Sequence, residues 1–212
     1  MPHVVLLGDS VFDNSAYVVD GPDVVRQVRA HLPAGWQATL RARDGAVTIG
    51  VLDQLHRLPP DASHLVVSIG GNDALRHVSI LDEDAHSMTD ALERLADLRE
   101  RFELDYRTML EGVLGHGLPA AVCTIYDGRF SNPQRRRIAV TALTVFNDSI
   151  TREAFRRGLP LIDLRLICDE DADYANPIEP SVRGGAKIAR TIAALVTEHG
   201  NAERRRSMVF AR

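Results

Sequence analysis

A serine hydroxyl, a glycine N–H and an asparagine amide stand directly behind three strand-like or turn-like segments of this 212-residue chain. Gly8-Asp9-Ser10 follows the apolar run Val4-Val5-Leu6-Leu7, Gly45 lies in the turn Asp44-Gly45-Ala46, and Asn72 belongs to Gly70-Gly71-Asn72-Asp73 after the run HLVVSI. Acyl transfer needs a hydroxyl aimed at a carbonyl carbon and donors fixed where the oxyanion develops. Ser10 offers the hydroxyl. Its own N–H, the Gly45 N–H and the Asn72 side-chain amide are the candidate donors, since glycine lets backbone approach a substrate closely and Asn carries an N–H that Asp lacks.

The elements that must position these groups alternate along the whole length. Strand-like runs fall at 4–7, 37–40, 64–69, 120–125 and 161–164, and helix-like periodicity falls at 22–32, 46–58, 92–114, 135–157 and 186–198. Alternation of this kind predicts crossover units on a parallel sheet, an α/β fold with its ligand crevice at the carboxyl edge of the strands. The loop 126–133 leaves a strand at that same edge. Ser181 reads as the cap of the last helix, with Gly184 and Gly185 packing closely on the sheet. The length fits one domain, 1–199, followed by a flexible tail, 200–212.

Composition narrows the function classes. A formal charge of -4 argues against a nucleic-acid partner, and Arg135-Arg136-Arg137 and Arg204-Arg205-Arg206 read as solvated charges. Cys123 and Cys168 have the surroundings of buried thiols, with no spacing that suggests zinc or a disulfide framework. Gly8-Asp9 interrupts the first apolar run, so a signal peptide is not expected. No run approaches the roughly 20 apolar residues of a membrane span. A cytoplasmic protein without a membrane partner is the expectation.

The chain resembles the SGNH/GDSL hydrolase family. The resemblance rests on Gly8-Asp9-Ser10, the glycine at 45, Gly70-Gly71-Asn72-Asp73, Val122-Cys123-Thr124-Ile125-Tyr126, Phe146-Asn147, Leu161-Ile162-Asp163, and Pro180-Ser181 with Gly184-Gly185 and Lys187-Ile188-Ala189. It implies a flavodoxin-like three-layer α/β/α sandwich with a central parallel sheet. It also implies Ser10 as nucleophile, an oxyanion hole from Ser10, Gly45 and Asn72, a small-molecule ester as substrate, and neither metal nor organic cofactor.

One block departs from the family. The expected Asp-x-x-His before Pro-Ser reads Asn176-Pro177-Ile178-Glu179-Pro180-Ser181. Glu179 then stands in the place of the histidine and Asn176 in that of the aspartate. Three readings remain open. Glu179 is the base, with burial raising its pKa toward roughly 6 to 7 and Asn176 donating a hydrogen bond to it. Alternatively a distant histidine serves, His77 or His86 in the connection after Asn72 being nearest. In the third reading the fold is a binding module for a small carbonyl or anionic ligand, without catalysis.

Around this centre, Asp9 and Asp73 are expected to tie turns by accepting backbone N–H bonds, Asp9 also facing the substrate. Asp13 and Asn14 line the substrate mouth or start a helix. Tyr126 and Arg129 are candidate substrate contacts, as is Asn176. A short acyl group is favoured, because the sequence shows no extended apolar lid.

Overall fold

Valine, isoleucine and leucine dominate the segments that build the central sheet. The computed structural model describes residues 1–197, and in it β1 (His3–Gly8), β2 (Gln37–Leu40), β3 (His64–Ser68), β4 (Ala120–Cys123) and β5 (Leu161–Ile162) run parallel in the order β2-β1-β3-β4-β5. Every residue of β1 is buried, as a strand covered on both faces requires. Val4 and Leu6 face a layer formed by α1 (Val24–His31) and α7 (Val182–Thr197). Val5 and Leu7 face the opposite layer, formed by α2 (Val51–Leu55), α4 (Met88–Leu114) and α5 (Pro133–Arg156). The result is the three-layer α/β/α sandwich.

The chain leaves β1 toward one edge of the sheet and returns past it to β3, so the topological switch lies between β1 and β3, where open α/β sheets leave a crevice. Both strands end there. Gly8 pairs with Ser68, and a Cβ at Gly8 would fall 1.7 Å from the Ser68 carbonyl oxygen, while its φ of +128° lies where L side chains are rare. Only glycine lets β1 turn this tightly into Asp9 and Ser10.

Two amide side chains finish the strand ends. Gln54 accepts from the Gly8 N–H and donates to its carbonyl, both at 2.8 Å. Asn147 does the same for Ile125, accepting its N–H at 2.8 Å and donating to its carbonyl at 2.9 Å. Each supplies the pairing that an adjacent strand would otherwise provide to a buried peptide.

Several boundaries differ from the sequence expectation for local reasons. The 46–58 helix is a 3-10 turn, Thr48–Gly50, running into the short α2. The 161–164 strand stops at Ile162, because the Asp163 carboxylate accepts the Arg165 N–H and starts α6 (Leu164–Ile167). α4 starts at Met88 behind the Ser87 cap, and α5 starts at Pro133 behind the Asn132 cap. The Ser181 hydroxyl accepts the Gly184 N–H at 3.2 Å, so α7 starts at Val182. Gly184 and Gly185 do not meet the sheet. A Cβ at Gly184 would fall 2.1 Å from the Asp173 carbonyl oxygen, and one at Gly185 would meet Gln27 and Val24 of α1.

Cys123 and Cys168 are free and buried. No described helix is long and apolar enough to cross a membrane. The expected tail 200–212, with Arg204 to Arg206, and the domain limit at 199 lie outside the described residues.

Candidate active site

Ser10 is held by the turn that ends β1. The Asp9 carbonyl accepts the N–H groups of Phe12 and Asp13, and the Asp9 carboxylate accepts the Val11 N–H at 3.1 Å. This turn leaves Ser10 only 7% exposed, and its Oγ donates to Glu179 Oε1 at 3.0 Å. The two residues are 169 positions apart in the chain. Glu179 is 4% exposed, and its Oε2 is buried without a hydrogen-bond partner among the described residues.

The loop carrying Glu179 is pinned at successive peptides. Asn176 Oδ1 accepts the N–H groups of Ile178 and Glu179, each at 2.9 Å, and the Glu179 carbonyl accepts the Ala175 N–H at 2.9 Å. Tyr126 donates its hydroxyl to the Ile178 carbonyl at 2.6 Å, and Asn14 Nδ2 donates to the Pro180 carbonyl at 3.2 Å. The carboxylate is thus delivered by backbone bonds on both sides of it. No partner has to orient it.

Burial, the largest influence, pushes Glu179 up to about 7, against the lowering effect of the Ser10 hydrogen bond, and the Asp44 charge adds to the rise. Burial likewise pushes Asp9 up to about 8, with the charges of Glu179 and Asp73 adding to it and the Val11 N–H opposing it. At neutral pH Asp9 is mostly the uncharged acid, whereas Glu179 is divided between its two forms. A carboxyl balanced in this way can both take and return a proton.

Asn72 lies in α3 (Gly71–Leu75), lines the same cavity as Ser10 and Glu179, and donates one amide hydrogen to the Ala46 carbonyl at 2.9 Å. Gly45 is exposed and does not line that cavity, but its turn is tethered on both sides. Asp13 accepts the Asp44 N–H at 3.0 Å, which ties the turn to the Ser10 segment, and Asn72 holds Ala46. Asp73 accepts the Thr48 N–H, and burial raises its pKa. Hydroxyl, carboxylate and amide therefore share one crevice, with the glycine turn fastened to two of the segments that form it.

The structure corrects several expectations. Asn176 accepts backbone N–H groups rather than donating to the Glu179 carboxylate, because its side chain is folded back on its own loop. Asn14 is fully buried, bridging Pro180 and the Val24 N–H, so it fastens the Glu179 loop to α1 and does not line a mouth. Asp13 is likewise a tether outside the cavity. Arg129 faces away. Its guanidinium sits 5.3 Å from the centre of the Tyr174 ring, donates to the Asp169 carbonyl and pairs with Asp171 at 3.5 Å. Tyr126 and Asp9 do line the cavity.

Of the two candidate histidines, His77 lines the cavity, while His86 is exposed and bonds through its N–H to Asp90. Among the described residues, the cluster with metal-ligand spacing is Asp169, Glu170 and Asp173. The Lys187 ammonium lies 2.7 to 3.3 Å from their carboxylates, supplying the cation that the cluster's charge requires. Sequence reading missed Gln54 and the apolar cavity wall, whose residues come from separate stretches of chain.

The family model for the GDSL-like lipase/acylhydrolase family matches residues 6–186. No curated protein matches the sequence. Among solved structures, an extracellular lipase from Streptomyces rimosus is similar at 19% identity and a TM-score of 0.62, covering 93% of this chain and 100% of that one. A lipase/acylhydrolase from Enterococcus faecalis is similar at 20% identity and a TM-score of 0.63, covering 92% and 97%. The acetyl xylan esterase AlAXEase is similar at 16% identity and a TM-score of 0.67, covering 92% and 99%. At these identities the likeness is one of fold.

Proposed function

Because the chain belongs to the GDSL-like lipase/acylhydrolase family, we propose that it hydrolyses carboxylic esters through Ser10, with Glu179 as the general base. The observation that carries this reading is the hydrogen bond from Ser10 Oγ to Glu179 Oε1, inside a site that pushes the carboxyl up to about 7. A free glutamate at 4.5 is a weak base toward a hydroxyl, and burial counters that objection.

As Ser10 Oγ bonds to the ester carbonyl carbon, its proton passes to Glu179, and the carbonyl electron pair moves onto oxygen. The Ser10 N–H and the Asn72 amide are the donors assigned to that oxyanion, Asn72 having a second amide hydrogen beyond the one held by Ala46, whereas Gly45, exposed and outside the cavity lining, holds its turn beside them. Collapse of the tetrahedral species breaks the ester C–O bond, and the leaving alcohol takes the proton back from Glu179. Water then repeats the sequence on acyl-Ser10. A carboxylate has no tautomer to fix, which is why the missing aspartate need not be replaced.

Only ionised Glu179 accepts the proton, so turnover is expected to rise with pH through an apparent value near 7. Hydrolysis of nitrophenyl acetate between about pH 5 and 9 measures this, with the His77→Ala protein beside wild type. The same midpoint is expected in both. A midpoint that vanishes with His77→Ala contradicts Glu179 as the base.

A further inference from the structure

The crevice does not end at Ser10. It continues between α4, α5 and the 3-10 helix Val78–Asp82, and along this part its wall is made of apolar side chains. α5 contributes Ala139, Ala142, Leu143 and Phe146, α4 contributes Leu95 and Leu98, and Val78, Ile80 and Leu81 supply the third side. Among the described residues, Asp9 and Glu179 are the carboxylates of the whole lining, which holds one histidine, His77, and no Lys or Arg. Arg135 holds the third side against α5, its guanidinium bonding Asp82 at 2.8 and 3.1 Å. A polar site together with an apolar channel matches a ligand with a carbonyl head and a hydrocarbon body.

Resting on the ester-hydrolase reading, we infer that this channel takes the acyl chain and selects medium-length acyl groups. This replaces the short acyl group expected from the sequence. The channel was not visible there because the apolar residues of its third side, Val78, Ile80 and Leu81, are few and lie on a 3-10 turn. The α5 part of the lining supplies the length scale of this inference. Residues 139, 142, 143 and 146 form one face of the helix, and seven residues rise about 10 Å at 1.5 Å each. A zigzag of single bonds near 1.5 Å advances roughly 1.3 Å per carbon, so an acyl chain lying along that face spans it with about eight carbons. Phe146, edge-on to Phe102 with ring centres 5.0 Å apart, closes that face of the helix.

The test compares kcat/KM for nitrophenyl acetate, butanoate, octanoate and palmitate. Octanoate is expected to exceed acetate by at least about a hundredfold, since each buried methylene contributes up to about fourfold, and palmitate is expected to fall below octanoate. Ala142→Phe, which fills the channel, is expected to lower the octanoate-to-acetate ratio at least about tenfold, and Leu143→Ala to move the optimum toward longer chains. A Ser10-dependent profile that is flat, or that peaks at acetate, overturns the proposal.

A binding arm separates this idea from the catalytic one. Octanamide and butanamide are titrated calorimetrically into the Ser10→Ala protein, with and without Ala142→Phe. Tighter binding of octanamide, lost on Ala142→Phe, supports the channel even where no ester is turned over, an outcome that would count against the hydrolase reading alone. Equal binding of the two amides overturns the channel.

Discussion

Glu179→Gln is expected to lower kcat for any ester substrate at least about a thousandfold, because glutamine keeps the shape of the site and its bond to Ser10 Oγ but takes no proton. The same change has a stability signature. A glutamate that ionises at 4.5 when unfolded and about 7 when folded makes the folded state hold an extra proton between those values. Stability from this group therefore falls as pH rises from about 4.5 to about 7 and stays lowered above, at a cost of about 3 kcal/mol. A neutral glutamine side chain carries no such cost. Denaturant unfolding is expected to find the variant more stable than wild type at pH 8 and not at pH 4.5. A variant that retains near wild-type kcat removes Glu179 from the mechanism.

Ser10→Ala is expected to reduce turnover by about 10⁴-fold or more, to the level that oxyanion stabilisation alone sustains. Its effect on stability runs opposite to that of Glu179→Gln. Ser10 provides the side-chain hydrogen bond to a carboxylate whose other oxygen is already unpartnered, and that bond holds the Glu179 pKa down. Without it the buried carboxylate is less well satisfied, so the variant is expected to lose roughly 1–3 kcal/mol above pH 7 and little in acid, where Glu179 is protonated. Steady-state hydrolysis and unfolding at pH 8 and pH 4.5 read both effects. Turnover that survives Ser10→Ala would place the nucleophile elsewhere.

The parts of this site that the sequence made legible are those carried by contiguous residues. Val4 to Ser10 specify a buried strand and its turn within a few positions, and the same is true of the segment from His64 to Asn72. Glu179 was legible as a position because Pro180-Ser181 and the following helix anchor the block that contains it. Its closeness to Ser10 was legible only through the family resemblance, as one of three readings, since it depends on α7 packing against α1 and on Asn14 reaching the Pro180 carbonyl.

The residues that escaped are polar side chains whose roles exist only in three dimensions. Gln54 and Asn147 look like ordinary helix residues until the strand ends they bracket are in place. Arg129 reads as a ligand contact from its loop, yet Tyr174 and Asp171 draw it away. Glu153, which no sequence pattern singled out, is 1% exposed and held by Arg107 at 2.9 Å, Arg156 at 2.7 Å and Arg157. The apolar channel has its walls in three stretches separated by other elements, so no local pattern announces it.

The most direct test of the Ser10–Glu179 pair is the rate at which an activated phosphonate labels Ser10 as a function of pH, followed by mass spectrometry in wild type and Glu179→Gln. It reads nucleophile and base together and needs no knowledge of the natural ester. A single label on Ser10 is expected in wild type, with a rate that rises through a midpoint near 7, and a slow rate without that midpoint in Glu179→Gln. Equal labelling of the two proteins across the pH range would contradict it.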